Sequence, residues 1–478
     1  MYLGLDLGTS AVKALLIGVD QEVLAEARAP LGVARPHPGW SEQTPADWLK
    51  ATDDVMSALA SQTDLSAIKA IGLSGHMHGA TLIDKSGDVL RPCILWNDTR
   101  AHIEAAAMDA DPQFREVSGN IVFPGFTAPK LAWVKENEPA VFAKTAKVLL
   151  PKDYLRLWLT GDAVSEMSDA AGTSWLDVGA RDWSDDLLAG TGLTRDHMPK
   201  LVEGAAASGG LRSALAAKWG LTAGIPVAGG GGDNAATAVG CGVTKPGQAF
   251  LSLGTSGVLF AATPSYAPDA ASAVHTFCHA LPDTWHQMGV ILSATDSLEW
   301  YGRLTGKAPA NLTSALDGLK APGRACFLPY LGGERTPHND AQIRGALIGL
   351  EHETDADAGT RAVLEGVAFA LKDSADALAG TGTKIDSLIA VGGGSASNVW
   401  LQIMATTLGL DIQIPVAGDF GAAFGAARLG MMAETGDLSI ASQPKIAATV
   451  APDAQLQNAF TEAHARYKDT YQALRSLS

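Results

Sequence analysis

A short pattern that occurs twice, half a chain apart, constrains the fold more than any other feature. Residues 4–12 read GLDLGTSAV, and residues 250–258 read FLSLGTSGV. Each copy predicts an apolar strand, a Gly-Thr-Ser turn and a second apolar strand, which runs over 14–19 in the first copy and over 258–262 in the second. A hairpin that recurs in this way predicts two related domains that face each other.

The two copies differ in charge, because the first has Asp6 where the second has Ser252. A glycine in a tight turn lets backbone N–H groups point at phosphate oxygens, and Thr9 and Ser10 add hydroxyl donors. A carboxylate at a strand end can bind Mg²⁺ directly or through water. We therefore expect the first copy to hold the metal side of a nucleotide and the second to cradle phosphate. An ordinary hairpin turn is the structural alternative for either copy alone.

The remaining periodicity indicates alternating helices and strands. Residues 47–60 and 362–379 have helical spacing of apolar side chains, and residues 67–73 and 387–391 are typical of strands. This alternation predicts layered α/β domains. Since 478 residues exceed one ordinary core, we place a domain boundary at the Lys245-Pro246-Gly247 turn, which divides the chain into 1–245 and 246–478.

Charge and cysteine content exclude several classes of function. The formal net charge of −16 disfavours binding to nucleic acid and to anionic membrane surfaces. An anionic nucleotide therefore needs local help from backbone N–H groups, helix N-termini or a metal ion. The four cysteines form no CxxC pair, and neither a signal peptide nor a membrane-spanning stretch is expected, so we predict a reducing, cytoplasmic location.

A glycine run leads into the strongest candidate for catalysis. Residues 226–236 read PVAGGGGDNAA, which predicts a strand, a four-glycine turn and a helix that starts near Asp233. An Asp in this place can be a purely structural helix cap, but a cap needs no glycine run. We interpret Asp233 as a base toward a hydroxyl group. A weak base suffices, because in phosphoryl transfer the proton is lost as the bond forms.

Two further segments follow predicted strands. Residues 391–398 read VGGGSASN, where the glycines allow a flat adenine ring to lie on bare backbone and Asn398 to bond its edge; a packing turn is the alternative. Residues 74–80 read SGHMHGA, which places His76 and His78 on the same side of an extended chain. Sugar recognition by a neutral imidazole, a structural histidine and a metal site remain open there. No GxxxxGK[ST] pattern or strand-bound GxGxxG motif occurs, which disfavours P-loop and dinucleotide folds.

Together these motifs resemble the FGGY carbohydrate kinases of the actin-like ATPase superfamily. Four segments stand in the order found in that family: 6–10, 230–233, 253–257 and 392–394. The resemblance extends over nearly the whole chain through further segments, namely 35–43, 77–80, 94–98, 123–130, 150–156, 167–173 and 328–338. It implies two actin-like (ribonuclease H-like) α/β domains with a deep interdomain cleft, a sugar held mostly on the first and ATP mostly on the second.

The resemblance also implies an activity, ATP-dependent phosphorylation of D-xylulose at its C5 hydroxyl, with domain closure over the sugar and MgATP. Another sugar of the family (ribulose, gluconate or glycerol) is the alternative within enzymes, and an actin-like ATPase without kinase activity is the alternative outside them. His76 departs from the members of the family that this chain most resembles, which often have Gln there. A homodimer is one open alternative for assembly.

The residues that the resemblance assigns fall into four groups. Asp233 is the general base. The sugar would contact Met77, His78, Asn97, Asp98 and Asp233. ATP would contact Thr9, Ser10, Lys13, Gly254, Thr255, Gly393, Gly394 and Asn398. Mg²⁺ would be held by Asp6 and Asp233.

Overall fold

Each half of the chain builds one large mixed β-sheet. The computed structural model describes residues 1–416 and 420–477. The strands of the first sheet, β1 to β7 in chain order, are Tyr2–Leu7, Ala11–Ile17, Val23–Pro30, Ala70–Gly75, Ala207–Gly210, Pro226–Ala228 and Gly231–Gly232. Those of the second sheet, β8 to β14, are Gly247–Leu253, Gly257–Thr263, His275–Cys278, Trp285–Ile291, Ile385–Val391, Ile412–Pro415 and Ile446–Val450.

The two sheets repeat one pattern of strand pairing. The first has the order β3-β2-β1-β4-β6-β5, with β7 also paired to β4, and the second has the order β10-β11-β9-β8-β12-β13-β14. In each sheet, the two strands of the opening hairpin pair antiparallel, and the second of them pairs antiparallel with the next strand outward. On the other side of the hairpin, its first strand pairs parallel with a neighbour, which pairs parallel with the next strand. The strand at that end of the sheet is antiparallel to its neighbour. This shared order of six strands confirms the repeat that the two Gly-Thr-Ser segments predict, and with it the two-part α/β fold.

Helices cover the sheets. The longer ones, α1 to α10 in chain order, are Pro45–Ala60, His102–Asp109, Thr127–Asn137, Pro151–Thr160, Asp233–Gly240, Thr295–Thr305, Ala356–Gly380, Asn398–Leu408, Ala422–Thr435 and Gln457–Arg475. Shorter helices are Pro112–Ser118, Pro139–Lys144, Met167–Ala170, Asp185–Gly190, Ser213–Trp219 and Pro309–Ser314. Within the described ranges, none of these helices combines the length and apolar character needed to cross a bilayer.

The predicted elements are present with shifted ends. Helix α1 begins at Pro45, two residues before the predicted start, because proline suits the first turn of a helix. Strand β4 begins at Ala70 rather than at residue 67, since the backbone N–H of Ile68 closes a turn onto the Leu65 carbonyl. Helix α7 starts earlier than predicted because the Asp355 side chain caps it by accepting a bond from the Ala358 N–H.

One helix from late in the chain packs on the early sheet. A Cβ atom added to Gly4 would lie 1.9 Å from the Ala423 carbonyl oxygen, and one added to Gly72 would lie 1.6 Å from the Ala426 oxygen. Glycine in β1 and β4 therefore allows α9 to approach the backbone of the first sheet closely. The boundary after residue 245 stays a prediction, and α9 shows that residues far beyond it stabilise the first sheet.

Candidate active site

The first sheet brings Asp6 and Asp233 to a common edge. Strand β4 lies between β1 and β7, and its Ser74 is in register with Asp6 on one side and with Gly231 on the other. The three strands are parallel, so their carboxyl ends meet at one edge of the sheet, which is where ligands bind in open α/β sheets. Asp6 is the penultimate residue of β1, and Asp233 follows β7 directly.

The two carboxylates influence each other's ionisation. Burial, and after it the negative charge of Asp6, raise the pKa of Asp233 to about 6, against hydrogen bonds from Asn234 that lower it. Burial also raises the pKa of Asp6, against the neighbouring Ser74 hydroxyl and the charge of Lys13, which lower it. One carboxylate oxygen of Asp6, Oδ1, is buried without a hydrogen-bond partner among the described residues. Two neighbouring carboxylates with an unsatisfied oxygen suit a hard cation such as Mg²⁺.

The glycine run before Asp233 is required by close contacts. A Cβ atom at Gly229 would lie 2.2 Å from the Glu203 carbonyl oxygen. Gly230 has a left-handed backbone, with φ of +78°, and its Cβ would lie 2.2 Å from the Leu73 carbonyl oxygen. Gly232 is the cap of α5 and Asp233 is its first helical residue, so the interpretation of Asp233 as a structural helix cap is wrong.

Met77 and His78 lie beside this edge. A Cβ atom at Gly232 would meet the Met77 side chain at 2.9 Å, which places Met77 against the residue that precedes Asp233. The His78 ring stacks on Phe126 at 4.4 Å between centroids, and its Nδ1 lies 2.7 Å from the Gly172 carbonyl oxygen. Burial lowers the pKa of His78 to about 3, so the ring is neutral at physiological pH. Nδ1 therefore carries the proton, and Nε2 keeps a lone pair that can accept a sugar hydroxyl.

The prediction that His76 and His78 lie on one side of an extended chain is wrong. Strand β4 ends at Gly75, and the backbone turns at His78, where φ is +69°. His76 packs edge-on against Trp48 at 5.9 Å instead and is buried. Neither of its ring nitrogens has a hydrogen-bond partner in the part of the chain that the structure describes.

Asn97 and Asp98 differ in what their side chains can offer. Asp98 is 1% exposed, and its carboxylate accepts hydrogen bonds from the Ser41 backbone N–H at 2.6 Å and from the Arg100 guanidinium at 2.7 and 2.9 Å. These hydrogen bonds occupy both oxygens of the Asp98 carboxylate and hold the loop that contains it. The Asn97 Oδ1 atom is buried without a partner among the described residues, so Asn97 has the freer polar group. Sugar contact by either residue stays a prediction.

The first Gly-Thr-Ser turn contacts segment 94–98, which contains the predicted sugar contacts Asn97 and Asp98. The Trp96 indole N–H donates to the Thr9 hydroxyl at 3.0 Å, and Arg28 Nη2 lies 3.4 Å from the Ser10 hydroxyl. Lys13 is in register with Asp6 across the β1–β2 hairpin, and its ammonium lies 3.1 Å from a Glu26 carboxylate oxygen. The structure thus groups Thr9, Lys13 and Asp6 at one turn.

A cavity of about 660 Å³ lies against the second sheet. It contains the predicted Gly393, Gly394 and Asn398, and Thr295 in its wall donates a hydrogen bond to the Gly254 carbonyl at 2.9 Å. The second Gly-Thr-Ser turn therefore adjoins the cavity. The other walls of the cavity were not predicted from the sequence, because they carry no recognisable motif. They come from α6 and from the short helix Pro309–Ser314 with the residues after it, and they include Leu298, Glu299, Pro309, Ala310, Thr313 and Leu316.

Comparison with known proteins decides the family. Residues 1–240 match the N-terminal domain, and residues 249–434 the C-terminal domain, of the FGGY family of carbohydrate kinases. The chain belongs to the FGGY family. This FGGY kinase is 48% identical over 483 residues to the xylulose kinase of Escherichia coli (strain K12), with both chains covered completely. It is 50% identical over 436 residues to the xylulose kinase of Klebsiella pneumoniae, covering 91% of this chain and 90% of that protein.

A solved structure agrees over the full length. The crystal structure of a xyloylose kinase from Brucella ovis matches this FGGY kinase with a TM-score of 0.98 and 61% sequence identity, and each chain is covered completely. The two-domain kinase fold that the sequence predicts is therefore confirmed. The assignment of individual site residues rests on the geometry described above and stays a prediction.

Proposed function

We propose that the protein transfers the γ-phosphate of ATP to the C5 hydroxyl of D-xylulose. The observation that carries this proposal is the meeting of Asp6, Asp233 and Met77 at one sheet edge in a chain whose full-length relatives are xylulose kinases. The edge supplies a base, a cation site and a partly apolar sugar surface. A kinase needs these three together, because positioning and charge neutralisation account for most of the catalysis of phosphoryl transfer.

Asp233 acts as the general base in this proposal. Its Oδ1 accepts bonds from the backbone and side-chain N–H groups of Asn234, at 2.8 and 3.1 Å. Its Oδ2 has no hydrogen-bond partner among the described residues, which leaves a lone pair for the sugar hydroxyl. With a pKa raised to about 6, the carboxylate is ionised at neutral pH yet more basic than an ordinary Asp.

MgATP would bridge the two halves. Asp6 and Asp233 would hold the Mg²⁺, which neutralises charge on the transferring phosphate. The turns with Thr9, Ser10 and Lys13 on one side and Gly254 and Thr255 on the other would bind phosphate oxygens. The cavity around Gly393, Gly394 and Asn398 would take the adenosine. Closure of the two domains would exclude water, because an open kinase hydrolyses ATP. A cytoplasmic location and a homodimer stay predictions.

The gluconate alternative requires a cationic group that is free to bind a carboxylate, and Arg100 does not supply one. Arg100 follows the predicted sugar contacts Asn97 and Asp98 closely in sequence. Its guanidinium pairs with Asp98 at 2.7 Å and Glu42 at 2.8 Å and lies over the Trp40 ring at 3.6 Å from the centroid. Since its charge is already neutralised, it does not favour a carboxylate substrate.

A sugar panel at fixed MgATP tests the proposal. ADP release is measured with D-xylulose, D-ribulose, gluconate, glycerol and no sugar. We expect D-xylulose to give the highest kcat/KM. A preference for gluconate by about ten-fold or more, which corresponds to roughly 1.4 kcal/mol, would overturn the substrate assignment. Equal ADP release without sugar would favour the actin-like ATPase.

A further inference from the structure

A group of five charged side chains lies fully enclosed behind the glycine run. Lys152, Asp153, Arg156, Glu166 and Asp169 are each 0% exposed. The Lys152 ammonium lies 2.7 Å from Asp153 and 3.3 Å from Asp169, and the Arg156 guanidinium lies 3.5 Å from Asp153. Removing this many charges from water is costly, and apolar side chains often stabilise a core equally well. Stability alone is therefore a weak reason for the group, and its contacts indicate another one.

Arg156 binds the start of the glycine run. Its Nη1 donates to the Ala228 carbonyl and to the Ser208 hydroxyl, both at 2.6 Å, and its Nη2 donates to the Gly229 carbonyl at 2.5 Å. Ala228 is the last residue of β6, and Gly229 is the first residue of the run. A planar guanidinium with several fixed donors can hold two successive carbonyl groups in a way that a single ammonium cannot.

Ser168 binds the end of the same run. The backbone N–H of Gly232 donates to the Ser168 hydroxyl at 3.1 Å, and this hydroxyl in turn lies 2.9 Å from both carboxylate oxygens of Glu166. Glu166 also accepts the backbone N–H groups of Ser168 and Asp169, at 2.7 and 2.9 Å. Because Glu166 can only accept when ionised, the Ser168 proton points to it and the Ser168 oxygen faces Gly232.

We propose that Arg156 and Ser168 are positioning residues, which fix the two ends of the glycine run so that Asp233 keeps its place at the sugar hydroxyl. Four consecutive glycines have no side chains to lock them and are the most flexible backbone available. The side chain of Asp233 itself bonds only to the neighbouring Asn234 among the described residues. The position of the base therefore depends on anchors outside the run. This inference rests on the proposed role of Asp233.

The test compares two buried serines of one segment. Ser168→Ala removes the acceptor of the Gly232 N–H. Ser165→Ala is the matched control, because Ser165 is also 0% exposed and its hydroxyl has no hydrogen-bond partner among the described residues. With D-xylulose and MgATP we expect Ser168→Ala to lower kcat by roughly ten- to a hundred-fold, the order of loss that a small misplacement causes. The KM for D-xylulose and the KM for ATP should each change by less than about two-fold, because Ser168→Ala leaves substrate binding intact. The Ser165→Ala control should match the wild type in kcat and in both KM values.

A second variant and a stability measurement separate positioning from folding. Arg156→Lys keeps the buried charge but loses the paired contact to the carbonyls of Ala228 and Gly229. Its kcat should therefore fall, while the KM for D-xylulose and the KM for ATP stay nearly unchanged. Thermal unfolding of all variants is measured in parallel. An unchanged kcat in Ser168→Ala would overturn the inference, and so would a fall in kcat that is matched by a fall in Tm and a rise in both KM values.

The failure of this inference and the failure of the proposed function give different results. If the wild type phosphorylates D-xylulose but Ser168→Ala and Ser165→Ala have the same kcat, only the positioning role is contradicted. A wild-type protein that phosphorylates no sugar of the panel contradicts the proposed function, and the positioning role of Arg156 and Ser168 falls with it.

Discussion

The two Gly-Thr-Ser hairpins have the same strand pairing, but the first carries an acidic side chain and the second an uncharged one at the same position. In the first hairpin, Asp6 of β1 is in register with Lys13 of the antiparallel strand β2 and with Ser74 of the parallel strand β4. In the second, Ser252 stands opposite Val258 and beside Val391. The strand pairing is the same, an antiparallel partner on one side and a parallel partner on the other. The fold therefore duplicates the turn, whereas the carboxyl group of Asp6 has no counterpart in the second copy.

The surroundings of the hairpins explain this difference. The first adjoins Asp233 and the Met77–His78 segment, where we propose that a hydroxyl is deprotonated and phosphate charge is neutralised. The second adjoins the cavity of about 660 Å³, which we propose to hold the nucleoside by its shape and by hydrogen bonds. A second acid there would repel the phosphates.

The largest effect is expected from Asp233. Asp233→Ala and the nearly isosteric Asp233→Asn both remove the base, so kcat for D-xylulose phosphorylation should fall by roughly a thousand-fold, within the range of general-base catalysis. ADP release is measured at saturating MgATP. The KM for D-xylulose and the thermal unfolding midpoint of Asp233→Asn serve as controls for binding and folding. Turnover within about ten-fold of the wild type would remove Asp233 from the base role.

The next effect compares the hairpins directly. Asp6→Asn should lower kcat by roughly a hundred-fold and raise the Mg²⁺ concentration needed for half-maximal rate, because one of the two charged ligands is lost. Ser252→Ala, the matching change in the second hairpin, should alter kcat by less than about two-fold. Equal losses in the two variants would contradict the division of charge between the halves.

The pH dependence should follow Asp233. Its pKa is raised to about 6 by burial and by Asp6, and the base must be ionised to act. Activity is therefore full above pH 7 and is lost on the acid side at about pH 6 or below, because a bound Mg²⁺ lowers the pKa of a carboxylate that holds it. Asp6→Asn removes the like charge, so the acid limb of its residual kcat/KM should move to lower pH. An acid limb at an unchanged pH in Asp6→Asn would show that the two carboxylates do not interact.

The smallest effect is expected in the nucleotide cavity. A Cβ atom added to Gly393 meets nothing within 4 Å, so Gly393→Val should fold normally and project into the space proposed for adenosine. The KM for ATP should rise by roughly ten-fold, with the KM for D-xylulose unchanged. Gly380→Ala is the control, because its surroundings are also open but it lies at the end of α7, outside the cavity wall. A rise in the sugar KM instead would place the sugar near this wall.

The sequence predicts local features of this molecule well. The two hairpins, helix α1 and the glycine-led Asp233 follow from apolar periodicity and turn residues, which are properties of neighbouring positions. Features that depend on distant contacts do not appear in it. Nothing near Asp98 indicates that the backbone N–H of Ser41 binds its carboxylate, and nothing in segment 150–156 shows that its charges lie behind the glycine run. The packing of α9 on β1 and β4 likewise joins residues more than 350 positions apart.

The position of the phosphate on the product tests the central claim most directly. The purified protein is incubated with MgATP and D-xylulose, and the product is identified by phosphorus–proton NMR coupling alongside ADP quantification. We predict D-xylulose 5-phosphate and ADP in equal amounts. ADP with free phosphate and no sugar phosphate, or a phosphate on another hydroxyl, would contradict the assignment of Asp233 as the base for the C5 hydroxyl.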